Sequence, residues 1–371
     1  MTTKSQRRFP ALLRAVSILA LLAPVVSAHS RAPTPVHHVF VIVLENHGFD
    51  TTFAAESPAP YLADTLVKRG AFLRQYYGIG HVSLDNYIAM ISGLAPTRQT
   101  QVDCPRFVDF QQTGTDRDGQ PIGVGCVYPA KVKTVANQLD AKRLSWRAFM
   151  EDMGADTTRE RRTCAHPVIG SLDSTQRATP VDQYATKHNP FMYFHSVIDS
   201  PTCDANVVAL SELENALASA TTTPNFSFIS PSLCHDGHDR PCTNGEPGGL
   251  ESADAFLARW VPRITSSPAF QADGLLIITF DEALTIDATS CCGEKPGPNV
   301  VNPGINGPGG GRVGAILLSP FIKPGTISDK QYNHYGLLRT IEDFFGLDHL
   351  GYAGQRGVNS FGRDVFSEVR R

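Results

Sequence analysis

The stretch HVFVIVLENHGFD, residues 38–50, decides the fold of this chain. Its apolar run Val39–Leu44 has no polar–apolar alternation, which is typical of a strand buried on both faces in a parallel sheet. Glu45 and Asn46 follow at the carboxyl end of that strand, where open α/β sheets bind their ligands. Carboxylate and amide oxygens are suitable ligands for a divalent cation. The alternative is a plain turn, with Asn46 and Gly48 shaping the backbone.

The amino-terminal segment has the pattern of a secretory signal peptide. Four basic residues precede or border the apolar stretch Ala15–Val26, which is short for a membrane span, and Val26-Ser27-Ala28 has the small residues of a cleavage site. We therefore predict a signal peptide over residues 1–28, a single folded domain over residues 29–371, and a secreted or periplasmic location. An uncleaved membrane anchor is the alternative.

The composition limits the classes of partner. The 371 residues carry a formal net charge of -3, and they contain no basic run of the kind that binds nucleic acid. No second stretch approaches the length and apolarity of a membrane span, so no integral membrane segment is expected after signal cleavage. The sequence leaves the oligomeric state open.

The cysteine count indicates disulfides. Eight cysteines, an even number, in an exported chain favour disulfide pairing over metal binding, and no CxxC pair has zinc-finger spacing. Proximity along the chain suggests Cys104–Cys126 and Cys164–Cys203. The pairing of the remaining four stays open, with Cys234–Cys242 the simplest choice and Cys291-Cys292 bridging each other or pairing elsewhere.

Strand-like and helical patterns alternate along most of the chain. Besides Val39–Leu44, apolar runs occur at Gly274–Phe280 and Val313–Leu318, and amphipathic helical stretches separate the strands. This alternation predicts an α/β fold in a single domain, with a mostly parallel sheet and helices on both faces. Two polar, cysteine-bearing segments near residues 104–128 and 155–190 interrupt the alternation, and we predict that they are insertions around a site.

A serine stands at a predicted helix start. The strand-like stretch Ala71–Tyr77 is followed by His81 and then by the helical stretch Ser83–Ile91. The free N–H groups and the positive dipole end of a helix N-terminus favour an anion such as phosphate. Ser83 acting only as a helix cap is the alternative.

Further polar clusters carry residues suited to catalysis. Asp281 and Glu282 directly follow the second apolar run, where a cation would offset the cost of burying them; an exposed pair is the alternative. The sequence CHDGHD at residues 234–239 places two histidines and two aspartates close together, and His334 opens the last helix. Lys187-His188 in the second insertion either reaches a substrate or lies in a solvated loop.

Together these clusters indicate a metal-assisted nucleophilic site. A cation held by strand-end carboxylates would lower the pKa of the Ser83 hydroxyl and neutralise charge on a phosphoryl group. A Ser-His-Asp acyl hydrolase is the competing enzyme class. The residues around Ser83 lack the G-x-S-x-G pattern of the nucleophile turn in those enzymes.

The order of six motifs resembles the phosphoesterase family of secreted acid phosphatases and phospholipases C from bacteria and fungi. The motifs are HVFVIVLENHGFD, HVSLDNYIAMISG, CHDGHD, ITFDEA, GGGRVGAILLSPFIKPG and YNHYGLLRTIEDFFGL. The resemblance covers nearly all of the chain after the signal segment and implies the fold of the alkaline phosphatase superfamily. In size the chain is similar to the smaller members, which act on phosphomonoesters and in some cases on phosphoinositides.

The resemblance also implies roles for individual residues. Ser83 matches the nucleophile that forms a phosphoseryl intermediate, and Asn86 matches an amide that touches phosphoryl oxygens in related enzymes. One set matches metal ligands: Glu45, Asn46, Asp281 and Glu282. Another set matches a second metal site or an acid/base group: His238, Asp236 or Asp239, and His334. Two residues match polar positions that line the pocket: His81 and His188.

Some positions depart from the family pattern. Val82 and Asp85 stand where prolines are common, and Asp85 would add negative charge beside a phosphate unless it points away. Ser232 replaces a usual ligand aspartate, so one carboxylate is missing, and His235 is a candidate replacement. We therefore expect one divalent metal ion of unknown identity and leave a second open.

The sequence thus predicts a hydrolase of phosphoric ester bonds. We expect an acid phosphatase that acts on phosphorylated small molecules or lipid headgroups through a phosphoserine at Ser83. A phospholipase C or other phosphodiesterase using the same site is the alternative. A non-enzymatic exported protein that binds anions is a further alternative.

Overall fold

The computed structural model describes residues 1–4, 36–293 and 295–366. The chain divides into two compact units, residues 1–34 and 35–371, and every element named below lies in the second unit. Apart from its first four residues, the predicted signal peptide lies outside the described residues, so that boundary stays a prediction. Within the described part of the chain, no helix is both long and apolar enough to cross a membrane.

The strands form one large sheet and two small ones. They are β1 (His38–Leu44), β2 (Ala71–Leu73), β3 (Tyr76–Tyr77), β4 (Gln111–Thr115), β5 (Pro121–Val124), β6 (Trp146–Met150), β7 (Val207–Ala209), β8 (Phe226–Ser230), β9 (Gly274–Phe280), β10 (Ala315–Leu318), β11 (Thr326–Ser328) and β12 (Tyr332–Asn333). The 8-stranded sheet has the order β11-β2-β10-β9-β1-β8-β6-β7, and β12-β3 and β4-β5 pair separately.

The helices lie between the strands. They are α1 (Phe49–Thr52), α2 (Val67–Arg69), α3 (Ser83–Ser92), α4 (Val135–Ala141), α5 (His195–Ile198), α6 (Cys203–Asn206), α7 (Glu212–Ala216), α8 (Gly249–Ser266), α9 (Pro268–Asp273) and α10 (His334–Phe345). A π-helical turn, Tyr61–Leu66, precedes α2. Single 3-10 turns occur at Thr100–Val102, Ser174–Gln176, Thr186–His188, Pro190–Tyr193 and Gly351–Gly354.

Strand β1 occupies the middle of the large sheet, as its uninterrupted apolar run predicts. It pairs in parallel with β8 on one side and β9 on the other, and all seven of its residues are buried. Leu44 lies opposite Phe280, so the two strands end together and the Asp281 N–H donates to the Leu44 carbonyl at 2.8 Å. The residues that follow β1 and β9 therefore start from neighbouring points on one edge of the sheet.

The predicted α/β fold with a mostly parallel sheet is confirmed. The buried strand predicted at Val313–Leu318 is β10, which runs antiparallel to both β9 and β2. Parallel neighbours require a crossover connection, usually a helix. The described residues between β9 and β10 form a Gly- and Pro-rich loop without a helix, and the chain returns antiparallel.

Four disulfides hold the loops. Cys104–Cys126 and Cys164–Cys203 pair as proximity suggested, and the open cases resolve as Cys234–Cys242 and Cys291–Cys292. The first predicted insertion contains the hairpin β4–β5. The second contains only short 3-10 turns, one of which presents Lys187 and His188.

Candidate active site

Ser83 lies at the start of helix α3, and its hydroxyl faces the end of strand β1. It is the first helical residue, after Val82 at the N-cap position. Its Oγ donates a hydrogen bond to Glu45 Oε2 at 2.7 Å, and both residues are buried. The alternative role for Ser83, a simple helix cap, is therefore wrong, because the hydroxyl is directed at a carboxylate instead.

Asn86 stabilises the loop in front of the serine. Its Oδ1 accepts from the N–H groups of Ile79 and Gly80 at 2.8 and 3.2 Å, and its Nδ2 donates to the Gly80 carbonyl at 3.0 Å. The side-chain amide of Asn86, which was predicted to touch phosphoryl oxygens, thus forms hydrogen bonds with backbone groups in this structure. Asp85 is also buried, and burial raises the pKa of its carboxyl group well above the ordinary value.

Glu45, Asp236 and His188 meet in a buried cluster. The His188 ring nitrogens lie 3.2 Å from Glu45 Oε1 and 3.0 Å from Asp236 Oδ2, with Tyr87 stacked on the ring at 5.2 Å between centroids. Among the described residues, these four facing atoms have no partner with the geometry of a hydrogen bond. One ligand atom from each of the three residues lies within 4.8 Å of the others. The atoms therefore converge on a common point.

Two more carboxyl groups border this cluster. Asp281 Oδ1 accepts the Asn46 N–H at 3.0 Å, while its Oδ2 is buried and has no hydrogen-bond partner among the described residues. Burial raises the pKa of Glu45, Asp236, Asp281 and Glu282 well above their ordinary values, and neighbouring carboxylates raise them further. Such a buried group of acids with raised pKa values is a candidate functional site.

The donor set fits a divalent cation. Buried carboxylate oxygens and an imidazole are ordinary ligands for such an ion. Burial lowers the pKa of His188 well below its usual value, which leaves the ring in the neutral form that coordinates metals. Glu45, Asp236 and His188 would hold the ion, and the Asp281 carboxylate is close enough to interact electrostatically with Glu45 and Asp236. The backbone N–H of Asn46 donates to Asp281 Oδ1, and its side-chain Nδ2 donates to Glu45 Oε2 at 3.2 Å.

His81 and Glu282 form a buried pair behind the serine loop. His81 Nε2 donates to the Asp287 carbonyl at 3.0 Å, and its Nδ1 contacts Glu282 Oε2. Glu282 is buried, so the exposed-pair alternative for Asp281-Glu282 was wrong. In this arrangement one oxygen of Glu282 contacts His81, and both ring nitrogens of His81 are engaged.

Two predicted ligands are used elsewhere in the structure. His334 donates from Nε2 to the Asp281 carbonyl and accepts from the Tyr76 hydroxyl at Nδ1, 3.0 Å away. Both ring nitrogens are therefore engaged, which corrects its predicted ligand or acid/base role. Asp239 pairs with His238 Nδ1 at 2.8 Å, so it orients a histidine, while Asp236 joins the buried cluster.

His235 does not replace the missing ligand. Its ring nitrogens contact Glu151 at 2.9 Å and Glu246 at 3.0 Å. The neighbouring Cys234 is in a disulfide and offers no thiolate. His235 is thus a structural ion-pair residue rather than a candidate metal ligand.

Sequence reasoning missed Asp103, and it left Lys187 open between a substrate contact and a solvated loop. Lys187 is 5% exposed, and its Nζ lies 3.0 Å from Asp103 Oδ2 and 3.2 Å from His238 Nε2. Burial alone would lower the Lys187 pKa, but the charges of Asp103 and Glu45 outweigh it and the pKa is raised. The only available signal was the pairing of Lys187 with His188 in a polar insertion.

Comparison with known proteins identifies the family. The model of the family described as "Phosphoesterase family" matches residues 55–348. A probable acid phosphatase of Kluyveromyces lactis is 27% identical over 84% of this chain and 59% of its own length. A phosphatidylinositol-3-phosphatase of Mycobacterium tuberculosis is 22% identical over 88% of this chain and 82% of its own.

Solved structures show a distant likeness. A protein in the alkaline phosphatase superfamily from Vibrio parahaemolyticus superposes with a TM-score of 0.49 at 13% identity, over 90% of this chain and 73% of that one. The chain spans less than two thirds of the length of the Kluyveromyces lactis relative. The family match covers most of the chain and includes Ser83, Asp236 and Asp281, so the predicted resemblance is confirmed: the chain belongs to the phosphoesterase family.

Proposed function

We propose that this protein is an acid phosphatase that hydrolyses phosphomonoesters through Ser83. The observation that carries the proposal is the 2.7 Å hydrogen bond from the Ser83 hydroxyl to the buried Glu45 carboxylate. The relatives support the substrate class, because the named activities of the Kluyveromyces lactis and Mycobacterium tuberculosis proteins are both phosphatase activities.

In the first step Ser83 Oγ attacks the phosphorus atom of the ester. Glu45 accepts the hydroxyl proton along the existing hydrogen bond, the new O–P bond forms, and the ester O–P bond breaks. The leaving oxygen takes a proton from solvent and departs as the alcohol. The Lys187 ammonium, close to His238 and electrostatically coupled to Glu45, offsets negative charge on the phosphoryl oxygens.

In the second step water hydrolyses the phosphoserine. Asp239 holds His238 at Nδ1, which leaves Nε2 as the basic nitrogen facing the site. His238 Nε2 takes a proton from the attacking water, whose oxygen bonds to phosphorus as the Ser83 Oγ–P bond breaks. Phosphate leaves, the serine oxygen recovers its proton from Glu45, and His238 releases its proton to solvent. This proposal assigns the acid/base role to His238, with Asp239 as its orienting partner.

A divalent cation completes the site in this proposal. Bound by Glu45, Asp236 and His188, it would lower the pKa of the serine hydroxyl and neutralise part of the phosphoryl charge. The unpartnered buried oxygens of these acids support such an ion. We also propose that the protein is exported, because four disulfides are typical of chains that mature in an oxidising compartment.

Substitution of Ser83 tests the proposal. Ser83→Ala should lower kcat on an aryl phosphate at least about a thousandfold, because the covalent route is lost. Ser92→Ala is the matched control: Ser92 is buried at the other end of α3 and bonds only within the helix end. Acid quenching during turnover should leave phosphate on the peptide that contains Ser83.

Three results would overturn the proposal. Full activity of Ser83→Ala would exclude the serine as nucleophile. Turnover of phosphodiesters but not of monoesters would favour the phosphodiesterase alternative, and phosphate binding without any turnover would favour a non-enzymatic anion-binding protein.

A further inference from the structure

The carboxylate of Asp103 makes two strong contacts beside the nucleophile. Asp103 Oδ1 accepts the N–H of Leu84, the residue after Ser83, at 3.1 Å. Its Oδ2 accepts from Lys187 Nζ at 3.0 Å. The two oxygens of one carboxylate thus occupy a helix N–H and a buried ammonium at the same time.

These two donors are the groups expected to hold a phosphoryl group. Free N–H groups at the start of a helix such as α3, which has 10 residues, bind anions together with the positive dipole end. A buried lysine is the natural counter-charge for phosphoryl oxygens. Leu84 is adjacent in sequence to Ser83, so an anion on its N–H lies next to the nucleophile. In this structure the Asp103 carboxylate occupies both donors, the Leu84 N–H and Lys187 Nζ.

The backbone that carries Asp103 is firmly held. The Asp103 N–H donates to the Thr100 carbonyl at 3.0 Å, and Gln176 Nε2 donates to the Asp103 carbonyl at 2.8 Å. The next residue, Cys104, is tied to Cys126 by a disulfide. The side chain of Asp103 is 13% exposed, whereas that of Lys187 is 6% exposed. Rotation of the Asp103 side chain alone would therefore uncover both donors without moving the loop.

We propose that Asp103 is a built-in competitor for the substrate phosphoryl group. In the free protein its carboxylate occupies Lys187 and the Leu84 N–H, and an incoming phosphomonoester displaces it and takes over both donors. This inference rests on the proposed phosphatase function and adds the residue that sets the affinity of the site for phosphate. After turnover the same carboxylate returns and helps to expel the product phosphate.

Equilibrium binding of inorganic phosphate tests the competition directly. We expect D103N and D103S to bind phosphate about tenfold more tightly than the wild type, the usual effect of freeing one charge-assisted hydrogen bond. K187M should bind it at least about tenfold more weakly, and D103N should gain less in the K187M background. D329N is the matched control, since it removes one carboxylate from an exposed pair with Arg74.

The readouts separate this inference from the proposed function. Calorimetric binding of phosphate and hydrolysis of an aryl phosphate are measured on the same folded variants, with circular dichroism as the check of folding. If the wild type binds and hydrolyses but D103N and D103S bind phosphate no more tightly, Asp103 only positions Lys187 and the competitor role is overturned. If the wild type shows neither binding nor turnover, the proposed function itself fails.

Discussion

Replacement of Glu45 by glutamine separates the function of this carboxylate from its effect on folding. Glu45 is fully buried, accepts the Ser83 hydroxyl at 2.7 Å and lies beside the acids Asp236 and Asp281. Glutamine has nearly the same volume and still accepts that hydrogen bond through its amide oxygen. It cannot accept the proton or carry the negative charge.

The expected loss of activity is large. A positioned side chain that accepts a proton in the transition state contributes about 10²–10⁴-fold to the rate. We therefore expect Glu45→Gln to lower kcat on an aryl phosphate by that factor, which corresponds to about 3–5 kcal/mol of transition-state stabilisation.

The expected effect on stability has the opposite sign. Burial, and then the charge of Asp281, raise the pKa of Glu45 in the folded protein. A carboxyl of this kind favours the folded state most below its unfolded pKa, near 4.5, and costs stability as the pH rises from there. Glutamine removes the cost, so Glu45→Gln should be more stable than the wild type between pH 5 and pH 7, and the difference should grow as the pH rises.

Urea unfolding in the presence of a chelator measures the stability change, because no bound cation then offsets the carboxylates. Glu342→Gln is the matched control. Glu342 is also fully buried, and burial raises its pKa to about 8, but it lies in helix α10 and accepts the Leu350 N–H. We expect the same gain in stability with unchanged kcat. A Glu45→Gln variant that loses stability in parallel with activity would refute the predicted cost of the buried carboxylate. A variant that keeps more than about a tenth of the activity would refute the role of Glu45 as proton acceptor.

Two other predictions concern the cation and a surface ion pair. Removal of divalent ions by a chelator should abolish activity, and re-addition of the ions should restore it. Asp236→Asn should reduce the metal content found by elemental analysis. An unchanged metal content would contradict the proposed ligand set. Burial lowers the pKa of His235, but Glu151 and Glu246 outweigh it and raise the pKa to about 9. Because this folded pKa exceeds the unfolded value, the ion pairs stabilise the fold below about pH 6.5 and lose that effect as the pH rises toward 9. His235→Gln should therefore cost about 1 kcal/mol at pH 6, after allowance for solvent screening, and little at pH 9, as urea unfolding would show.

The sequence by itself determined the central strand and the residues at its end. Val39–Leu44 has only apolar side chains, which requires neighbours on both sides and helices or loops over both faces. Glu45 and Asp281 follow two such strands, and the carboxyl ends of adjacent parallel strands meet at one edge. Their proximity could therefore be predicted without coordinates. Helix α3 could also be predicted from local sequence, because the residues from Ser83 have a helical pattern and Gly93 ends it.

Only the tertiary structure decided which distant residues complete the site. The polar insertion carries no periodic pattern, so nothing in its sequence shows that Lys187 and His188 fold back onto Glu45 while His235 turns to surface acids. Likewise, His334 opens a helix in a position that suits a ligand, but its ring is taken by Tyr76 and a backbone carbonyl. Strand ends converge because sheet geometry brings them together. The direction of a loop side chain depends on packing between segments far apart in the chain, which no local pattern records.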